Sequence, residues 1–198
     1  MARRVTFRNN QGFRLGPIGF LIVTNLILYI ATSISSRLGD LLAFHPDIFL
    51  ERPWTIVTSL FVHAPFPSIW HILANMITLY FFGSYLLRLV GERNFFILYF
   101  LGGIIGNVFY AFILTPPFLT VGASGAIFAV GGALAVMSPR LRVFIIPIPV
   151  PLPLWVAVVG GCLVISFFPH VAWQAHLGGL VFGLVTAYFF WRRQRRFY

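Results

Sequence analysis

Six long runs of apolar residues dominate the sequence. A helix that crosses a hydrocarbon layer of about 30 Å, at about 1.5 Å per residue, needs about 20 mostly apolar residues. Runs of this kind occupy residues 17–35, 69–87, 94–114, 121–138, 153–169 and 173–191. Only 9% of the residues are charged, whereas a soluble domain carries about a quarter. The composition therefore excludes a soluble globule, and the runs predict an all-α membrane protein with six transmembrane helices.

The arginines predict how these helices are oriented. All 14 basic residues are arginine, and short cytoplasmic loops of membrane proteins are enriched in positive charge. With the N-terminus inside, only Arg37 and Arg52 lie outside the cell. The cytoplasmic group comprises Arg3, Arg4, Arg8, Arg14, Arg88, Arg93, Arg140, Arg142, Arg192, Arg193, Arg195 and Arg196. We therefore expect both termini to be cytoplasmic and the net charge of +10 to face anionic lipids rather than nucleic acid.

The runs and loops predict one folded domain. Residues 1–16 are expected to form a cytoplasmic tail, residues 17–191 a six-helix membrane domain, and residues 192–198 a basic cytoplasmic tail. The external connection, about residues 36–68, is rich in Leu, Phe and Trp and is expected to lie in the membrane interface. Repeated prolines between the fourth and fifth runs predict a loop there. The single cysteine, Cys162, excludes an intramolecular disulfide and a thiolate metal cluster.

A few polar side chains interrupt the apolar runs. Such groups are costly at membrane depth, so each is a candidate for function. His71 and Asn75 are four residues apart and share one helix face near the outer end of the second run. Ser124 begins the fourth run and His176 begins the sixth, so the predicted topology brings all four to one depth. Two isolated amides are interpreted as bridges between helices: Asn25 and Asn107.

Small residues on the fourth and sixth runs indicate how Ser124 and His176 could meet. Gly122 and Gly125 belong to a nearly bare face of the fourth run, and Gly179 and Gly183 form a GxxxG in the sixth. Small faces allow helices to approach closely. If these faces pack, a ring nitrogen of His176 reaches the Ser124 hydroxyl, the arrangement in which a base activates a serine nucleophile.

The position of the acidic residues limits the type of site. A Ser-His-Asp triad needs a carboxylate to orient the imidazole, but no acid lies within a run. The sequence therefore favours a Ser-His dyad, with His176 oriented by packing against a neighbour such as Phe128. The unpaired amides at the start of the helix at Ser124, with His71 and Asn75, would supply hydrogen bonds to an oxyanion. The acids are Asp40, Asp47, Glu51 and Glu92.

Three motifs together resemble the rhomboid intramembrane serine proteases. They are His71-x-x-x-Asn75 in WHILANM, Gly122-Ala123-Ser124-Gly125, and Ala175-His176-x-x-Gly179-x-x-x-Gly183. The resemblance covers about residues 17–191. It implies a rhomboid-like bundle in which Ser124 is the nucleophile, His176 is the general base and acid, and His71, Asn75 and the Ser124 amide form the oxyanion hole.

The resemblance also implies the partners of such a chain. Rhomboid proteases cut in or near transmembrane segments of other membrane proteins, without a cofactor or metal. The six-run form resembles bacterial or archaeal members, so a multi-pass protein of a prokaryotic plasma membrane is expected. The sequence does not specify an oligomeric state.

Two alternatives remain open at this point. The first is a non-catalytic rhomboid-like protein that binds transmembrane helices without cutting them. The second is a small metal transporter that uses His63, His71 and His176 as ligands, because neutral imidazole binds zinc and copper well.

Overall fold

The chain folds mainly into helices. The computed structural model describes residues 15–113, 119–144, 149–169 and 171–195, with the backbone alone for 191–195. Most of the predicted N-terminal tail and the last residues of the C-terminal tail lie outside the described residues. The helices in the described part are α1 Pro17–Ile34, α2 Ser36–Leu42, α3 Thr55–Thr58, α4 Ile69–Thr78, α5 Ser84–Phe112, α6 Ser124–Met137, α7 Leu154–Ser166 and α8 Trp173–Arg195.

Each of the six predicted runs coincides with helix, but the helices differ in length. Among the described residues, two helical stretches are long and apolar enough by themselves to cross a membrane, α1 and Ile69–Phe112. Helices α6 and α7 are apolar but shorter than a full span. A helical fold is therefore observed, while the six-span count and the orientation of the termini stay predictions.

The second and third runs are joined differently from the expectation. A loop was expected between residues 87 and 94, but α4 continues through a π-helical turn, Leu79–Gly83, directly into α5. The backbone leaves helical geometry within α5 at Gly91, whose φ is 75°. This left-handed conformation is open to glycine because it has no Cβ. One residue therefore interrupts the helix where a longer connection was predicted.

The predicted loop between the fourth and fifth runs contains a small hairpin. Strand β1 (Arg142–Val143) pairs antiparallel with β2 (Leu152–Pro153), with Val143 opposite Leu152. No helix occurs among the described residues of this segment, as the prolines predict, and the two short strands at its ends were not anticipated. Proline removes one backbone donor but is tolerated on edge strands, and both of these strands are edges.

The segment between α1 and α4 is more ordered than the sequence indicated. It contains α2, α3 and two 3-10 turns, Pro46–Ile48 and Ser59–Phe61. Backbone hydrogen bonds in both directions join Phe44 to Thr120. This segment is thereby attached to the stretch of chain that leads into α6.

Helix α6 occupies the centre of the bundle. Most of its residues are buried, and it packs most extensively against α8, then against α5 and α7. Apolar side chains from α1, α4 and α5 complete one continuous core around it. The first residue of α6 is Ser124, so this central helix determines where the candidate serine lies.

Candidate active site

The structure brings Ser124 and His176 into direct contact. Ser124 begins α6, and His176 lies in the first turn of α8, 52 residues later in the chain. Nε2 of His176 is 2.7 Å from Oγ of Ser124. His176 is only 7% exposed, so this hydrogen bond is largely shielded from solvent. A serine hydroxyl in contact with an imidazole nitrogen has the geometry needed for proton transfer to a base.

Glycines permit this contact by letting α6 and α8 touch backbone to backbone. A Cβ added at Gly179 would overlap the carbonyl oxygen of Gly125, and one at Gly183 would overlap that of Ala129. A side chain at either position would hold the helices apart. Three of the residues selected from the sequence as packing residues, Gly125, Gly179 and Gly183, lie at this contact. The fourth, Gly122, precedes α6 and borders His71 instead of α8.

His176 packs against an aromatic ring, and it has no carboxylate partner within the part of the chain that the structure describes. The ring centroid of Phe128 lies 4.7 Å from that of His176. The other ring nitrogen, Nδ1, is buried and has no hydrogen-bond partner among the described residues. Within the described part of the chain, Asp40 forms an ion pair with Arg52 and lies 3.1 Å from Nε2 of His45, and all three residues belong to the segment after α1.

His71 lies close to Ser124 across a glycine. A Cβ built on Gly122 would be 2.9 Å from Nε2 of His71 and 3.6 Å from Oγ of Ser124. The φ of Gly122 is 121°, and its N–H donates to the carbonyl of Ser59 at 2.9 Å. The absence of a side chain at Gly122 therefore leaves a space about the size of a methyl group that borders both functional side chains.

Asn75 is oriented partly by its own helix. One N–H of its side-chain amide donates to the carbonyl of His71 at 2.9 Å, one turn earlier in α4. An amide has two donor hydrogens, so one remains for another partner. Asn75 is 7% exposed. The prediction that His71 and Asn75 share one face is consistent with this contact.

Two contacts near the site were not anticipated from the sequence. The backbone N–H of Ala64 donates to Nδ1 of His71 at 3.4 Å. The ring of His63 is fully buried and lies edge-on to the His71 ring, with centroids 5.0 Å apart. Burial, and second the His71 imidazole, lower the pKa of His63 to about 3, so His63 is neutral at physiological pH. A main-chain donor has no sequence signature, so no pattern could have identified the first contact.

Asn107 shows how the outer segment is fixed beside the site. Its side-chain amide donates to the carbonyl of Ile56 at 2.8 Å and to the hydroxyl of Ser59 at 2.9 Å. The prediction that Asn107 bridges two elements is confirmed. The backbone carbonyl of Ser59 in turn accepts from the N–H of Gly122. The bridge therefore reaches a residue only two positions before Ser124. The side-chain amide of Asn25, the other predicted bridge, donates to the carbonyl of Leu21 in its own helix, at 2.8 Å.

The histidines do not form the metal site of the transporter hypothesis. Within the residues that the structure describes, no group of three or more His, Cys, Asp or Glu side chains is positioned to hold a metal ion. His71 instead accepts from Ala64, and His176 contacts Ser124. The geometry therefore gives no support to the transporter alternative.

The fold and the site define a mainly helical protein in which a buried histidine contacts a serine hydroxyl. Comparison with known proteins then identifies the family, because the Rhomboid domain model matches residues 50–193. The chain belongs to the rhomboid family, a membrane-embedded family, and the resemblance seen in the three sequence motifs is confirmed.

Curated relatives include proteins from different organisms and compartments. The chain is 31% identical to Rhomboid protein 1, mitochondrial, of Saccharomyces cerevisiae over 169 residues, 72% of this chain and 44% of that protein. It is 30% identical to RHOMBOID-like protein 1 of Arabidopsis thaliana over 139 residues, covering 69% and 34%. Against Putative rhomboid protease YdcA of Bacillus subtilis the identity is 28% over 148 residues, covering 73% and 71%.

The coverage and the compartments of these relatives limit which of their properties apply to this chain. The chain spans less than half the length of the yeast and Arabidopsis proteins. The relatives include mitochondrial and bacterial proteins, so a prokaryotic plasma membrane stays a prediction.

Proposed function

We propose that this chain is an intramembrane serine endopeptidase that hydrolyses peptide bonds in or near transmembrane segments of other membrane proteins. The observation that carries the proposal is the 2.7 Å contact between Ser124 Oγ and His176 Nε2 in a buried site. Membership of the rhomboid family and the protease name of the Bacillus relative support the same reaction.

The proposed reaction uses Ser124 and His176 in two steps. His176 Nε2 takes the proton of the Ser124 hydroxyl while Oγ attacks the substrate carbonyl carbon. The same proton then passes to the departing amine, and the peptide bond breaks to leave an ester on Ser124. In the second step His176 takes a proton from water, which attacks the ester carbonyl carbon. The ester bond then breaks to release the acid product, and His176 returns the proton to Oγ of Ser124, so the hydroxyl and the neutral imidazole are restored. No cofactor or metal takes part in this proposal.

The oxyanion formed in each step needs hydrogen-bond donors. We assign this role to Nε2 of His71, the second amide N–H of Asn75 and the backbone N–H of Ser124. The last belongs to the first turn of α6, where backbone amides have no partner within the helix. The space left open at Gly122, which borders His71 Nε2 and Ser124 Oγ, supports this assignment.

We further propose that residues 17–191 form a membrane domain of six spans, with both termini and residues 1–16 and 192–198 in the cytoplasm. Helix α6 has 14 residues, so at about 1.5 Å per residue it is shorter than the hydrocarbon layer of about 30 Å. Its short length suits a central helix that ends below the outer membrane surface and is met there by water. The exposed apolar side chains of α1 suit contact with lipid.

The test is reaction with a fluorophosphonate probe, which modifies activated serines. Detergent-purified protein would be compared with Ser124→Ala and His176→Ala, and the adduct located by mass spectrometry. We expect wild-type protein to be labelled at Ser124 and both variants to remain unlabelled. Circular dichroism is the control that both variants are folded. Cleavage of a labelled single-span reporter in proteoliposomes should follow the same pattern. Folded wild-type protein that neither this probe nor an isocoumarin modifies would overturn the proposal.

A further inference from the structure

One main-chain group outside the serine–histidine pair contacts His71, a proposed oxyanion donor. The N–H of Ala64 donates to Nδ1 of His71 at 3.4 Å. A ring nitrogen that accepts a hydrogen bond carries no proton, and a neutral imidazole has one protonated nitrogen. This contact favours the neutral tautomer of His71 that carries its proton on Nε2.

In that tautomer the protonated nitrogen is the one that borders the candidate serine. Nε2 of His71 lies 2.9 Å from the position that a Cβ of Gly122 would occupy, and Ser124 Oγ lies 3.6 Å from the same position. The alternative tautomer would present a lone pair to this space and could not donate to an oxygen there. Which nitrogen carries the proton therefore decides whether His71 can act as a donor.

The segment that carries the Ala64 amide is fixed on both sides. Val62 is buried, and its N–H donates to the carbonyl of Ser59 at 3.2 Å. The N–H of Phe66 donates to the hydroxyl of Ser33 at 3.1 Å. Between them, the buried His63 ring lies against the His71 ring. The direction of the Ala64 N–H is thus set by contacts independent of the reaction.

We propose that the backbone amide of Ala64 is a positioning group that fixes His71 in the Nε2–H tautomer and so makes it a hydrogen-bond donor at the active site. This inference rests on the proposed function, since the donor acts on the oxyanion of that reaction. It assigns a role to the outer segment that goes beyond packing.

The test replaces the amide N–H of residue 64 by an ester oxygen. Lactic acid incorporated in place of Ala64 keeps the methyl group and removes the donor, and it also makes the carbonyl of His63 a weaker acceptor. Ala64→Gly is the control that keeps the donor. Nitrogen-15 NMR of histidine side chains in micelles reports the His71 tautomer, and the fluorophosphonate reaction rate reports the site. We expect Nε2–H in wild type and Ala64→Gly. In the ester variant we expect a mixture of tautomers and labelling that is at least about tenfold slower. Loss of one oxyanion donor lowers the reaction rate by about a hundredfold or more, and only part of the His71 population would lose its donor.

A second background separates positioning from stability. In His71→Gln the side-chain amide always carries donor hydrogens, so its ability to donate does not depend on a tautomer. Adding the residue-64 ester to this variant should therefore slow labelling no further. If the Ala64 amide had a purely structural role, the ester would slow labelling equally in wild type and in His71→Gln. A wild-type His71 protonated on Nδ1 would overturn the inference, and so would an ester variant that keeps both the tautomer and the labelling rate. If neither the fluorophosphonate nor an isocoumarin modifies folded wild-type protein, the proposed function fails, while the NMR result still decides the tautomer.

Discussion

At the scale of single residues, the site relies on packing where many serine hydrolases use a carboxylate. Nδ1 of His176 is buried without a partner among the described residues, and the ring rests against Phe128. Aromatic pairs of this kind contribute about 0.5–1.5 kcal/mol beyond the area that they bury. The orientation of the proposed base therefore depends on a neighbouring side chain.

Phe128→Ala removes that ring. We expect labelling of Ser124 to slow by about threefold to tenfold, because about 1.4 kcal/mol corresponds to a tenfold change in rate. Phe128→Tyr keeps the ring and should label at nearly the wild-type rate. Equal rates for wild type and Phe128→Ala, measured on folded protein, would show that the ring does not orient His176.

Gly122→Ala should lower the reactivity of Ser124 more than it lowers the stability of the fold. The φ of 121° costs about 1–3 kcal/mol for a residue with a Cβ, and that Cβ would contact His71 Nε2. We expect loss of serine labelling with a modest fall in melting temperature. Gly160→Ala in α7 is the control, because its Cβ would meet nothing within 4 Å. Full labelling of Gly122→Ala would contradict the assignment of this space to the oxyanion.

His63 predicts a loss of stability in acid. Its pKa is about 3 in the folded protein and about 6.5 when unfolded, so between these values the unfolded chain binds a proton that the folded chain does not. The contribution of neutral His63 to the free energy of unfolding is fully present above pH 6.5. Below that pH it decreases by up to about 1.4 kcal/mol per pH unit. Thermal unfolding between pH 7.5 and 4 should show a smaller decrease for His63→Phe than for wild type. Parallel curves would contradict the prediction.

At the scale of elements, the contact between α6 and α8 decides whether the pair forms. Serine and histidine belong to different helices, and their 2.7 Å contact exists because Gly179 and Gly183 place α8 against the α6 backbone. The outer segment acts similarly on α4, since Ala64 contacts His71. The candidate site is therefore assembled from helix ends that are fixed by their neighbours.

Gly179→Val tests this dependence. A side chain there would overlap the Gly125 carbonyl oxygen, and forcing extra atoms into a tight contact costs about 1–3 kcal/mol. We expect a lower melting temperature and loss of serine labelling, since the helices must separate. Gly161→Val in α7, where nothing lies within 4 Å of an added Cβ, should change labelling little. Normal labelling of Gly179→Val would show that the helix approach is not required.

At the scale of the whole molecule, the arginine pattern predicts the orientation in the membrane. In a Cys162→Ser background, Asp47→Cys and Arg140→Cys would place single thiols on opposite predicted sides. We expect a membrane-impermeant maleimide to label Asp47→Cys in intact right-side-out vesicles, and Arg140→Cys only after detergent is added. The reverse pattern would invert the topology, and labelling of both in intact vesicles would contradict the span count.

The sequence by itself determined the helical class, the family and the choice of Ser124, His176, His71 and Asn75. These features are local, because long apolar runs are helical in a membrane and small residues at helical spacing mark close packing. It did not reveal the helix interruption at Gly91, the hairpin between α6 and α7, or the Ala64 amide at His71. Those depend on backbone torsions and on main-chain N–H groups, which every residue except proline has. Only the tertiary structure, which fixes the distances between remote segments, decided which of those groups faces the site.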